Sequence, residues 1–171
     1  IIQQRDPESG KRLVPDALSV AWSRDGRDCA FDLAVTHPCA RTYIQQAAGR
    51  ALTAADLREK KKCSKYAQAC STQGLDFAPF VLETYGAFGT EAQRVVKEAV
   101  AKIALKLPDT RFSNLAIHTW TASSFRAHFM QRISISLQRG NAKAILLRAA
   151  RDFKLAGNEQ IASSPPRANL D

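Results

Sequence analysis

Two acids and a pair of lysines carry the chemistry that this sequence suggests. Asp16 follows a proline, and Asp32 lies inside the apolar run Cys29–Val35. A carboxylate is costly to bury unless something pairs with it, and hard divalent cations such as Mg2+ prefer carboxylate oxygen as a ligand. Lys62 and Lys65 follow on a predicted helix and would complete a site that hydrolyses a phosphodiester. The pattern therefore predicts a metal-dependent nuclease.

The two acids belong to a predicted hairpin. Residues 13–22 alternate between apolar and polar side chains as a strand does, and Asp25-Gly26 is a natural hairpin tip. Residues 29–36 form the returning strand, and Asp32 shares a face with Ala30, Ala34 and Thr36. A symmetric turn at the tip would pair Asp32 with Ser19. We therefore expect the acids to share a cation only if the loop is asymmetric or a strand bulges.

The next elements alternate between helix and strand. A helix is predicted from Thr53, where a capping box begins, to about residue 72. Its apolar stripe is Cys63, Tyr66, Ala67 and Cys70, and the bordering face carries Arg58, Lys62 and Lys65. Asp76–Glu83 reads as a strand in which Pro79 favours an edge position, and a second capping box opens a helix from Thr90 to Pro108. This order predicts an α/β fold with helices covering a short mixed sheet.

The C-terminal part is basic and helical. Between residues 122 and 155 seven Lys and Arg residues face one acid, Asp152, on two amphipathic helices that begin near Thr121 and are separated by Gly140-Asn141. We expect phosphate contacts from Arg58, Arg132, Arg139, Lys143 and Arg148. The predicted organisation is a core over residues 1–108, a basic helical extension packed on the core over 109–156, and a disordered tail over 157–171.

Composition supports a nucleic-acid partner and gives no support for a membrane one. The 171 residues carry a formal net charge of +9 with a pI near 9.7, and no apolar run is long enough to span a bilayer. The four cysteines and three histidines lie at no zinc-ligand spacing, so buried free thiols in a reducing, intracellular compartment are expected. Because the chain opens at Ile1 rather than Met, we expect it to be a fragment of a longer protein.

Pro15-Asp16, a spacer of 15 residues, Asp32 and then Lys62-x-x-Lys65-Tyr66 together resemble a known pattern. It is similar to the restriction-like endonuclease domain, of the PD-(D/E)XK superfamily, at the C-terminal end of certain non-LTR retrotransposon polyproteins. The runs Phe80–Gly86 and Gln138–Ala142 also resemble reverse-transcriptase-associated reading frames. The resemblance covers roughly residues 11–150.

The resemblance implies a restriction-endonuclease-like three-layer core and a role for each matching residue. Asp16, Asp32 and the backbone carbonyl of Leu33 would bind Mg2+ or Mn2+. The superfamily's usual lysine position, two residues after the second acid, is Ala34 here. In the retroelement branch this lysine lies on the helix, which corresponds to Lys62 or Lys65. The implied activity is cleavage of target DNA to prime reverse transcription, inside a parent polyprotein and, in a eukaryote, inside the nucleus.

Two other functions fit the same residues. In the first, the acids form ordinary turns or salt bridges, and the basic helices make the chain a non-catalytic module that binds DNA or RNA, or an inactive relic. In the second, the chain is a repair or Holliday-junction nuclease that acts as a dimer on branched DNA. Binding of a divalent metal separates the nucleases from the binding module.

Overall fold

The computed structural model describes residue 5, residues 10–106 and residues 124–162. The chain divides into two compact units, Ile1–Gln131 and Arg132–Asp171. In the described part of the first unit, the sheet has three strands: β1 (Ala17–Ser19), β2 (Cys29–Thr36) and β3 (Asp76–Glu83). Strand β2 is central and pairs antiparallel with β1 and parallel with β3. The protein is therefore a mixed α/β protein with a small mixed sheet, as the sequence predicted.

The described residues also form four helices. They are α1 (Ile44–Gly49), α2 (Thr53–Ser71), α3 (Thr90–Lys106) and α4 (Phe125–Ala162). The predicted bounds of β3 and α2 are confirmed to within a residue. Helix α1 was not predicted, because its six residues offer neither a capping side chain nor a full amphipathic period.

The two faces of the sheet pack against different helices. Ala30 of β2 joins a buried cluster with Tyr66, Ala69 and Cys70 of α2. The residues on either side of Ala30 along β2 are Cys29 and Phe31. They pack with Ala78 of β3 and Val95 of α3 on the opposite face. Since alternate residues of a strand point to opposite faces, Asp32 shares the α2 face with Ala30. The face predicted for Asp32 is thus confirmed.

An asymmetric loop sets the register between β1 and β2. Ser19 pairs with Cys29 and Ala17 with Phe31, so nine residues connect the two strands. A tight turn closes between Ser23 and Arg27, with three residues on the β1 side and one on the β2 side. Ala21 has a left-handed φ of 50° in the longer arm. The loop is therefore asymmetric, which is one of the two conditions under which we expected the acids to approach each other.

Two buried glutamates join the helices to the core. Glu83, at the end of β3, accepts a hydrogen bond of 3.3 Å from the backbone N–H of Ala55 in the first turn of α2. Glu59 of α2 accepts hydrogen bonds from the N–H groups of Glu91 and Ala92 in the first turn of α3. The helix starts predicted from capping boxes are correct, but acids distant in sequence supply these caps.

Several sequence predictions need correction. The strand predicted over residues 13–22 is only three residues long, because the chain leaves the ladder after Ser19. Trp22, which was expected on this strand, lies in the loop and packs against Phe31 on the α3 face. Ala67 is exposed rather than part of the α2 stripe.

The predicted break of the C-terminal helix is also wrong. Gly140-Asn141 lies inside the continuous helix α4, where one glycine costs only about 1 kcal/mol. Helix α4 also continues through residues 157–162, which the sequence predicted to be disordered. The predicted start near Thr121, the predicted boundary at 108/109 and residues 163–171 lie outside the described residues.

The structure agrees with the sequence predictions for the edge strand and for two of the four cysteines. Pro79 lies on β3, which is an edge strand, as predicted. Cys29 and Cys70 are buried free thiols, and burial raises the pKa of Cys29 to about 12, whereas Cys39 is exposed and Cys63 is half-buried. Among the described residues, no helix has the length and apolarity to cross a bilayer.

The glutamate cap on α3 generates a stability prediction. A Cβ added at Gly89 would overlap the Glu59 carboxylate and lie 3.2 Å from the carbonyl of Val81. We expect Gly89→Ala to lower the free energy of unfolding by about 1–3 kcal/mol, as overpacking typically does. Gly49→Ala is the matched control, because a Cβ there meets nothing within 4 Å. Denaturant unfolding that gives equal stabilities for the two variants would contradict this account of the cap.

Candidate functional site

An ion pair between β2 and α2 forms the centre of the candidate site. The Lys62 ammonium on α2 donates a hydrogen bond to Oδ2 of Asp32 on β2. The side chains are only 11% and 7% exposed, respectively. Within the described part of the chain, Lys62 is the only residue that donates a hydrogen bond to the Asp32 carboxylate. The structure thus brings together the second predicted acid and one of the two predicted lysines.

Asp16 reaches the same part of β2 from the neighbouring segment. It precedes β1 by one residue, and its Oδ2 accepts a hydrogen bond of 2.7 Å from the backbone N–H of Leu33. Pairing between the two strands ends at Ala17 and Phe31, and the chain bends at Asp16. The Asp16 carboxylate also acts on the charge of Lys62, on the α2 side of the sheet. Asp16 therefore lies near the Lys62–Asp32 pair.

The backbone of Leu33 faces the edge of β2 where Asp16 lies. The ladder between β1 and β2 does not extend to Pro15, which has no N–H to donate. In a strand the N–H and C=O of one residue point to the same edge, so the Leu33 carbonyl points to the side where Asp16 accepts a hydrogen bond from the Leu33 N–H.

Burial and two charged neighbours shift the pKa of the Lys62 amine. Burial lowers the pKa of the Lys62 amine below its ordinary value, the Asp16 carboxylate opposes this shift, and Lys65 adds to it. The contact with Asp32 favours the charged ammonium. Both acids and both lysines therefore lie close enough for their charges to interact.

The donor set fits a hard divalent cation. Two carboxylates and one backbone carbonyl supply only oxygen, and Mg2+ typically binds through one or two carboxylates while keeping several waters. Among the described residues, no three His, Cys, Asp or Glu side chains cluster as a metal cage would require. The arrangement therefore suits a cation that keeps water ligands, rather than a zinc ion held by four side chains.

The other predicted residues of α2 lie near the site. Lys65 is exposed one turn beyond Lys62, with its ammonium 5.6 Å from the centre of the Tyr66 ring. Arg58 is half-buried one turn before Lys62. The spacing of 58, 62 and 65 puts the three cations along one side of α2. Lys62 is the lysine that donates to Asp32.

The second unit carries the other predicted phosphate contacts on α4. Arg132, Arg139, Lys143 and Arg148 are all exposed. At 3.6 residues per turn, the first three lie within about 40° of one another around the helix axis, whereas Arg148 lies roughly 140–180° from them. The structure thus divides the predicted set into a row of three cations and one on the far side.

The burial of the Lys62–Asp32 pair generates a second prediction. Lys62→Ala should lower the free energy of unfolding by about 3–5 kcal/mol, because it leaves a buried carboxylate without its partner. The double variant Asp32→Asn with Lys62→Met should recover most of that loss. Arg50→Ala is the control, since it breaks the Arg50–Asp56 pair, in which Arg50 is 77% exposed, and should cost less than about 1 kcal/mol. Equal costs for Lys62→Ala and Arg50→Ala in chemical denaturation would refute the prediction.

Comparison of the chain with protein-family models, with curated proteins and with solved structures found no match.

Proposed function

We propose that the first unit is a metal-dependent DNA endonuclease with a restriction-endonuclease-like core. The observation that carries the proposal is the convergence of three elements at one edge of β2. Lys62 of α2 contacts Asp32, and Asp16 binds the backbone of Leu33 beside it. Two carboxylates, a carbonyl oxygen and an amine are the groups that metal-assisted phosphodiester hydrolysis requires.

Each group has a distinct task in this proposal. Asp16, Asp32 and the Leu33 carbonyl hold Mg2+ or Mn2+, which when bound lowers the pKa of coordinated water and neutralises charge on the phosphate. Lys62 places its ammonium beside the non-bridging oxygen on which negative charge develops, and stabilises that charge. Lys65 and Arg58, on the same side of α2, extend the positive surface along the DNA backbone.

The resemblance of the motif supports a more specific setting. In it, the nuclease nicks target DNA and exposes a 3′-hydroxyl that primes reverse transcription by the remaining domains of a parent retroelement polyprotein. The net charge of +9 is consistent with DNA as the partner.

A non-catalytic nucleic-acid-binding module is the second candidate. The observation that favours it is the Lys62–Asp32 ion pair itself, because a buried acid paired with a lysine also occurs as a purely structural salt bridge. The two functions differ in their need for metal. Only the nuclease should bind Mg2+ through Asp16 and Asp32.

An isosteric substitution that removes the negative charge tests the catalytic role of Asp32. Asp32→Asn should abolish nicking of supercoiled DNA in Mg2+ while leaving DNA affinity unchanged or slightly higher, because one negative charge near the phosphate is removed. Asp25→Asn is the matched control, since it removes the same charge from an exposed residue of the hairpin loop. If the nicking activity of Asp32→Asn equals that of the control, Asp32 is not a metal ligand in catalysis.

The salt dependence of binding tests the row of cations on α4. Removing one cation that neutralises a phosphate should reduce the slope of log K against log salt by about 0.9 for duplex DNA. Replacing Arg132, Arg139 and Lys143 by glutamine should therefore reduce the slope by roughly 2.7. Arg148→Gln, on the far side of the helix, should leave it nearly unchanged. A triple variant with the wild-type slope would remove this row from the DNA-binding surface.

A further inference from the structure

The Lys62 ammonium occupies an atom that the proposed cation would need. It donates to Oδ2 of Asp32, whose side chain is 7% exposed, and within the described chain that carboxylate receives no other hydrogen bond. A positive charge in contact with a carboxylate oxygen both blocks that oxygen and repels an incoming dication. The same ammonium is the group that the reaction needs beside the phosphate.

The surroundings allow Lys62 to leave Asp32 without moving the helix. Helix α2 is fixed to the sheet one turn further on, where the Tyr66 ring stacks on Phe77 at 5.3 Å and Ala69 and Cys70 are buried. A lysine side chain, in contrast, is a flexible four-carbon stem with a point charge at its end. The Asp16 carboxylate lies within electrostatic reach of the amine, so its charge helps to keep the released ammonium at the site.

We propose that Lys62 and the divalent cation bind Asp32 in alternation, so that metal entry displaces the lysine from the acid and frees it for the phosphate. This inference rests on the proposed nuclease function and describes its regulation. Without metal, Lys62 satisfies the buried carboxylate. With metal, the cation takes over that task, and the amine becomes available only in a protein that already holds its cation. The stabilising ion pair and the catalytic lysine are then two states of one side chain.

Metal affinity in the absence of DNA gives the first test. Isothermal titration of the full chain with Mg2+ alone should show Lys62→Met binding roughly tenfold tighter than wild type, or more, which is about the factor that a hydrogen bond between charged groups contributes. Lys61→Met is the matched control. It removes the same charge from the exposed neighbouring residue, and should change the affinity at most a few-fold.

A second measurement uses the wild-type protein and so does not depend on the folding of a variant. The rate at which a lysine amine is acetylated, read by mass spectrometry, reports its accessibility. Saturating Mg2+ should raise the acetylation rate of Lys62 several-fold, whereas the rates of the neighbouring residues Lys60 and Lys61 should stay constant. If the titration detects Mg2+ binding by Lys62→Met but none by wild type, that result equally supports the inference.

The outcomes separate this inference from the function on which it rests. If wild type and Lys62→Met bind Mg2+ with equal affinity and the acetylation of Lys62 does not respond to Mg2+, the alternation is overturned while the nuclease proposal stands. If neither protein binds Mg2+, both are overturned. If Lys62→Met does not fold, the acetylation of wild-type Lys62 decides the question alone.

Discussion

The burial of one carboxylate in the central strand constrains the rest of this structure. Asp32 points from β2 into the interface with α2, where an unpaired ionised acid would cost several kcal/mol or take up a proton. Lys62 removes that cost only if α2 lies over β2 at one position along the sheet. The Tyr66–Phe77 stack and the buried Cys70 hold the helix at that position. The ion pair and the apolar contacts thus stabilise the same position of α2 on the sheet.

Three buried acids in the first unit are stabilised in two different ways. Glu59 and Glu83 accept hydrogen bonds from backbone N–H groups in the first turns of α3 and α2. Those donors are fixed by the helices, and burial still raises the pKa of Glu59 against the effect of its hydrogen bonds. The partner of Asp32 is instead the end of a flexible side chain. This difference distinguishes Asp32, whose partner is a side chain, from the two glutamates, which connect the helices to the core through backbone donors.

Sequence patterns predicted the elements better than the contacts between them. The period of two in residues 29–36 correctly placed Asp32 on the same face as Ala30. The predicted start of α2 at Thr53 was also correct. Both predictions depend on local spacing. The register between β1 and β2, which brings Asp16 near the Leu33 backbone, could not be predicted. It depends on a left-handed Ala21 and an off-centre turn, neither of which has a distinctive residue signature. The choice of Lys62 over Lys65 likewise depends on how α2 is rotated against the sheet, which tertiary packing decides.

The position of the lysine follows from the geometry of the α2 face. Ala34, where the superfamily that the motif resembles has its lysine, lies on the same face of β2 as Asp32, because strand residues two apart point the same way. An ammonium from position 34 would therefore approach the same region that Lys62 fills from the helix. Asp32 already has the Lys62 ammonium as its partner, and a second ammonium from position 34 would lie next to this like charge. A small residue on the strand and a lysine on the helix meet the same electrostatic requirement with a single charge. Because the backbone of Lys62 lies outside the sheet, the proposed alternation would leave the hydrogen bonds of β2 intact.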